Sequence, residues 1–137
     1  MRLLAAVITM AMATAAAVGT AQAIAAAPAD GADAARGEQV YVRCAACHAM
    51  ANDRVGPRHC GLIGRRAGSV PGFSYSSAMK NSKLVWDEKT LDRFLAKPMA
   101  VVPGTSMTYD GVPDARDRAD LIAYLRKAGS GPECTRR

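Results

Sequence analysis

Three observations make this sequence an all-α domain. Apolar residues recur at helical spacing near the middle and the end of the chain, and nowhere alternate as a strand requires. The stretches between them hold so many glycines and prolines that they read as loops wrapping something, not as sheet. The chain also has few aromatics of its own, two Phe, one Trp and four Tyr in 137 residues. That leaves the centre of a small domain to be filled by something besides side chains.

The first 23 residues stand apart. Met1-Arg2 is a short positive start, Leu3 to Val18 is uncharged and apolar, and Ala21-Gln22-Ala23 has the small-x-small form of a cleavage site. A retained anchor fits less well, because the run is mostly alanine and shorter than the ~20 residues that cross a bilayer. Ala27 is a second possible end point, disfavoured by Pro28 after it. Residues 24–34 (IAAAPADGADA) carry little hydrophobic bulk and are expected to form a flexible leader. The domain is then residues 35–137. Removal of the signal leaves 114 residues and takes the net charge from +6 to +5, since Arg2 is its only charged residue. No basic run exceeds two residues and no aromatics interleave with basic ones. Together with export, this argues against nucleic acid and favours an acidic protein partner over an anionic lipid surface.

Within the domain, Asp33 suits the N-cap of a first helix, with Val40, Tyr41 and Cys44 on one face. The stretch from Asn52 to Gly72 contains VGP, CGLIG, AGS and VPGF, and is expected to be loop. A short helical piece falls around Ser76–Asn81. A firmer helix covers Asp87–Lys97, where Leu91, Phe94 and Leu95 form an i, i+3, i+4 stripe and Pro98 ends it. Residues 98–113, with three prolines and two glycines, are expected to be loop. The last helix covers about Asp114–Ala128. Leu121, Ile122, Tyr124 and Leu125 are its apolar face, Arg126-Lys127 suits its C-terminus, and Gly129 is its expected stop.

Cys44-Ala45-Ala46-Cys47-His48 is C-x-x-C-H, the pattern of covalent haem attachment. Two thiols three residues apart on one turn can each add to a vinyl group of the same porphyrin, and the next residue, a histidine, then falls under the iron. A redox disulfide would want a strand-then-helix setting that is absent here. A zinc site needs two more ligands, and the spacing of His59 and Cys60 matches no common finger. An electron-carrying iron needs its sixth position filled. Met50, Met79, Met99 and Met107 lie outside the signal, and any one alone could be core filler. Met107 stands out because it ends the turn-rich Pro103-Gly104-Thr105-Ser106-Met107, which can bring a thioether back over a flat cofactor. His59 competes poorly, being too near His48 in sequence to reach the opposite haem face.

At these residues the chain resembles the class I cytochrome c family, close to bacterial cytochrome c2 and its mitochondrial relatives. CAACH, VGP, GLIGRRAG, PGFSY, Trp86, PGTSM and RADLIAYL occur in the family's order from about Gly37 to Leu125. The resemblance implies a small fold in which N- and C-terminal helices cross, while loops and short helices wrap one covalently bound haem. Gly37 and Tyr41 would meet Tyr124 and Leu125 at the crossing. It implies His48 as proximal ligand, with the Pro57 carbonyl accepting its other ring N–H, and Met107 as distal ligand in a loop positioned by the Thr105 hydroxyl. Arg65, Tyr75 and Trp86 match residues that neutralise or hydrogen-bond the haem propionates, and Tyr109 an aromatic packed beside the methionine.

Several positions depart from the family pattern. Phe94 stands where a tyrosine is frequent, and Met79 where an asparagine is common near a propionate. Both make the pocket less polar, so a midpoint of a few hundred millivolts positive is expected. Met99, Ser106, Pro113 and Asp114 replace lysines of mitochondrial relatives around the exposed haem edge, although Arg43 remains. Cys60 takes a position where relatives often have histidine, and Cys134 lies just past the last helix. In an oxidising compartment two spare cysteines usually pair. Free thiols or a dimer through Cys134 are the alternatives.

The function expected is a monomeric periplasmic one-electron carrier and not an enzyme, working between a membrane bc1-type reductase and a terminal oxidase or photosynthetic reaction centre. The competing reading is a gas sensor or peroxidase-like protein with an open sixth site. The position of C-x-x-C-H near the start of the domain, with a methionine loop after it, argues for the carrier.

Overall fold

The computed structural model describes residues 31–135. The expected signal and all but the end of the expected leader therefore lie outside the described residues. Six helices follow in order: α1 (Ala34–Tyr41), α2 (Ser77–Asn81), α3 (Glu88–Ala96), α4 (Pro98–Val101), α5 (Ala115–Gly129) and α6 (Pro132–Thr135). Among the described residues there is no strand. A single antiparallel bridge joins Arg66 to Val85.

The helix starts follow from their caps. The Asp33 carboxylate accepts the backbone N–H groups of Ala35 and Arg36 and starts α1 one residue inside the stretch expected to be leader. The Ser76 hydroxyl accepts from Met79 in α2, the Asp87 carboxylate from Thr90 in α3, and the Asp114 carboxylate from Asp117 in α5. Each of these occupies a donor that the first turn leaves without a helical partner.

Helices α1 and α5 cross in close contact, and Gly37 is why they can. A Cβ there would lie 1.9 Å from the Asp120 carbonyl oxygen and 2.8 Å from the Tyr124 Cβ. The crossing is locked by charge. Asp120, 2 % exposed, accepts the Arg36 guanidinium at 2.7 and 3.1 Å and the Asp33 backbone N–H at 2.6 Å. The Arg36 hydrogen bond holds the Asp120 carboxyl below the usual carboxylate range, with the Asp33 N–H adding to it. Tyr41 packs on Tyr124 with ring centroids 5.1 Å apart.

Around this crossing one apolar cluster gathers Leu62, Ala67, Met79, Trp86, Leu91, Phe94, Leu95, Val102 and Val112 with Leu121, Ile122 and Leu125. Leu121 is fully buried. Segment 64–67 runs antiparallel to 84–86, with Ala67 donating to Leu84, Trp86 to Arg65 and Gly64 to Trp86.

The structure corrects two expectations and adds one element. Residues 98–113 are not all loop, because Pro98 stands at the first position of α4 as well as after the end of α3. Proline is favoured there, since its missing N–H would be unpaired in any case. Gly129 does not stop α5 but is its last residue, and Ser130 caps it. A glycine suits this point because another chain segment crosses closely: its carbonyl accepts the Gly61 N–H at 2.9 Å, and a Cβ would sit tightly, 3.1 Å from the His59 carbonyl oxygen. The turn of helix at Pro132–Thr135 was not anticipated at all.

Candidate haem site

The site is built from the end of α1 outward. After Tyr41 the chain stays coiled: Cys44 N–H and Ala45 N–H both reach the Tyr41 carbonyl, and Cys47 and His48 both donate to the carbonyl of Cys44. The motif therefore lies in a tight succession of turns past the helix, with Cys44 half-buried and Cys47 exposed, neither in a disulfide. Burial pushes the Cys44 thiol up, partly offset by Arg43.

The His48 ring is oriented by its surroundings. Nδ1 donates to the Pro57 carbonyl oxygen at 2.8 Å, which fixes the tautomer and leaves Nε2 as the free nitrogen. The backbone at Gly56 passes so close that a Cβ would come within 2.2–2.6 Å of ring atoms of His48. Gly56 is itself tied back through its N–H to the Cys47 carbonyl at 2.8 Å. Burial lowers the basicity of His48, opposed by the bond to Pro57.

His59, set aside from the sequence as a ligand, stacks on His48 with ring centroids 4.3 Å apart and planes 19° from parallel. Its Nδ1 is 3.2 Å from the Tyr41 hydroxyl. Burial pushes its pKa down to about 3, helped by the neighbouring His48 and Arg65, so the ring is uncharged.

Arg65 sits on the loop that follows. Its guanidinium donates to the carbonyls of Cys60 at 2.8 Å and Arg58 at 2.9 Å. It is close enough to Tyr75 for the two to influence each other's ionisation. Tyr75 is raised by burial, with its bond to the Val70 backbone and the Arg65 charge opposing. Trp86 is buried against Phe94, centroids 4.9 Å apart. Its backbone pairing with Arg65 brings these two residues, 21 positions apart, side by side.

The methionine loop is a tight turn. The Thr105 N–H returns to the Val102 carbonyl at 3.0 Å across Pro103 and Gly104, whose φ of +86° is the geometry of the third residue of a type II turn. Thr105 is buried, and its hydroxyl oxygen accepts the Met107 N–H at 3.2 Å. Cys44, Tyr75, Met107 and Tyr109 are all partly exposed side chains packed against the same core cluster. Met50 and Met79 are buried within that cluster, and Met99 is half exposed to solvent. Cys60 and Cys134 are joined in a disulfide across 74 positions.

A family model described as Cytochrome c matches residues 34–129. The chain belongs to the cytochrome c family. It is 52 % identical over 96 residues to cytochrome c2 of Rhodomicrobium vannielii, covering 68 % of this chain and 77 % of that one. It is 44 % identical over 104 residues to cytochrome c2 of Blastochloris viridis, covering 74 % and 82 %. Among solved structures it resembles cytochrome cH from Methylobacterium extorquens, at TM-score 0.67 and 42 % identity over 69 % of this chain and 97 % of that one.

As a cytochrome c, the chain is an electron carrier and not an enzyme, passing electrons to and from redox partner proteins, with one haem c attached covalently through Cys44 and Cys47. The residues fit that group: two unpaired thiols lie on one run of turns, and the histidine after them has one nitrogen engaged and the other free. Bound there, haem supplies a one-electron couple. The crossing helices and expected fold were legible in the sequence. The His59 stack and the Asp120 lock were not, because both join residues whose nearness only the tertiary fold creates. Among the described residues, no helix is long and apolar enough to cross a membrane.

Proposed function

We propose that this cytochrome is exported by cleavage of residues 1–23, with the 24–34 stretch a leader as far as the Asp33 cap of α1, and works in the periplasm as a monomeric shuttle with His48 and Met107 as axial ligands. Its donor is a membrane bc1-type reductase and its acceptor a terminal oxidase or photosynthetic reaction centre. The observation that carries this reading is the held imidazole: His48 Nδ1 bonded to the Pro57 carbonyl, at the end of the turn bearing both thiols. That bond holds Nδ1 in place and makes the free nitrogen a stronger donor. The buried Thr105 and the turn before it give Met107 a fixed path of approach. Arg65, Tyr75 and Trp86 supply the polar partners that buried propionates require.

Spectroelectrochemical titration of the protein matured in a periplasm tests the whole reading. A low-spin spectrum, with the weak far-red ferric band of methionine ligation and a clearly positive one-electron midpoint, is expected. A high-spin spectrum that shifts with carbon monoxide or cyanide would instead mean an open sixth site and a sensor or enzyme. The mass of the purified protein, expected to begin at Ile24, tests the processing.

A further inference from the structure

Pro57 pins one atom of the His48 ring, but a single hydrogen bond acts as a hinge and leaves the plane of the ring free to tilt. The backbone at Gly56 closes against part of the ring, and the ring's flat face is met by another side chain. His59 lies flat on it at 4.3 Å, and His59 is itself held by Tyr41 and by its own backbone. Tyr41 offers its hydroxyl to Nδ1 and its ring at 5.7 Å, with the two planes 65° apart. The His59 backbone N–H is shared between the carbonyls of Ala49 and Met50, and the next N–H, of Cys60, also goes to Met50. Cys60 is bonded to Cys134, and Gly61 to Gly129 at the end of α5. The ring is thus carried on a segment anchored to the last helix.

Building on the haem ligation proposed above, we propose that His59 is a positioning residue for electron transfer: its ring, braced by Tyr41, fixes the plane of the His48 imidazole and favours the oxidised state of the site. The effect is electrostatic as well as steric. A ligating imidazole becomes more positive when its metal is oxidised, and an electron-rich ring face stacked against it stabilises that charge. An aliphatic side chain of similar size would fill the space without doing so.

The test uses the haem-loaded protein with His59→Leu, His59→Phe and Tyr41→Phe, following the midpoint and the hyperfine-shifted proton resonances of the His48 ring. In His59→Leu the ferric-to-ferrous ratio at a fixed ambient potential should fall about threefold to tenfold, and the ring resonances should move. His59→Phe, which keeps a flat π face, should recover most of the change. Tyr41→Phe should shift the ratio in the same direction by less. A low-spin Leu variant with unmoved midpoint and resonances would overturn the proposal, as would a Phe variant displaced as far as Leu. If the Leu variant does not accumulate, Tyr41→Phe decides: a shift supports the brace and no shift overturns it. Failure of the unaltered protein to give a low-spin spectrum would overturn the haem ligation itself, whereas unmoved variants of a low-spin protein would overturn only the role of His59.

Discussion

Individual side chains here act through what holds them. Met107 is a flexible thioether on a backbone held by Thr105, which is buried with its hydroxyl accepting the Met107 N–H. Replacing Met107 by Ala should leave the fold intact and give a high-spin protein that binds carbon monoxide, read directly from the visible spectrum. Thr105→Val keeps the shape but leaves the Met107 N–H without its acceptor. It should cost about 1 kcal/mol in urea unfolding and weaken the far-red ferric band on warming before the protein unfolds. Residues within a contiguous motif were readable from sequence, because spacing along a turn is chemistry enough. His59 was not. Its neighbours in sequence are Arg58 and Cys60, and nothing there announces that Gly56 and Met50 bring its ring onto His48.

At the scale of elements, the caps explain the helix boundaries and the α1–α5 crossing explains the architecture. Asp33 and Asp114 could be picked out because a short polar side chain before a helical stripe has a known use. Pro98 does follow the end of one helix, as expected, but the start of the next was missed because proline serves equally in both places. Nothing in the sequence around Asp120 points to Arg36, 84 positions away, which the fold puts against it. Gly37→Ala should destabilise the crossing by about 1–3 kcal/mol, since the clash is with backbone that cannot move aside. Asp120→Asn should lower the melting temperature at neutral pH. The Asp120 pKa is depressed in the fold, so its contribution is fully present above the ordinary carboxylate pKa, near 4, and fades as pH falls through the depressed value. Melting curves of the two proteins should therefore converge below pH ~4, and a constant gap down to strong acid would contradict the assignment.

Across the whole molecule, one cross-link and one charge pattern matter most. The Cys60–Cys134 bridge closes a loop of 74 positions. Chain entropy alone would give such a loop about 4 kcal/mol, an upper limit because the haem already ties the same chain. Cys60→Ser with Cys134→Ser should cost less than that in urea titrations of the haem-loaded protein, and a larger loss would mean that the bridge also holds native contacts. Met99 and Asp114, at positions where the resemblance implies lysines in mitochondrial relatives, are exposed. Steering by charge should accordingly be weak. Electron transfer to a partner should slow only modestly between low and physiological salt, and a tenfold or greater loss would restore the case for a cationic docking face.

The crossing has a consequence in time. The partner of α1 is α5, which begins only at Ala115, so the two cannot meet until the residues between them have emerged. Until then the turn after α1 has no α5 to pack against, whatever the pace at which the chain appears. Cys44, half-buried in the finished molecule, spends that interval within reach of whatever chemistry greets the emerging chain. The order of the helices thus keeps open a part of the structure that is modified before it closes.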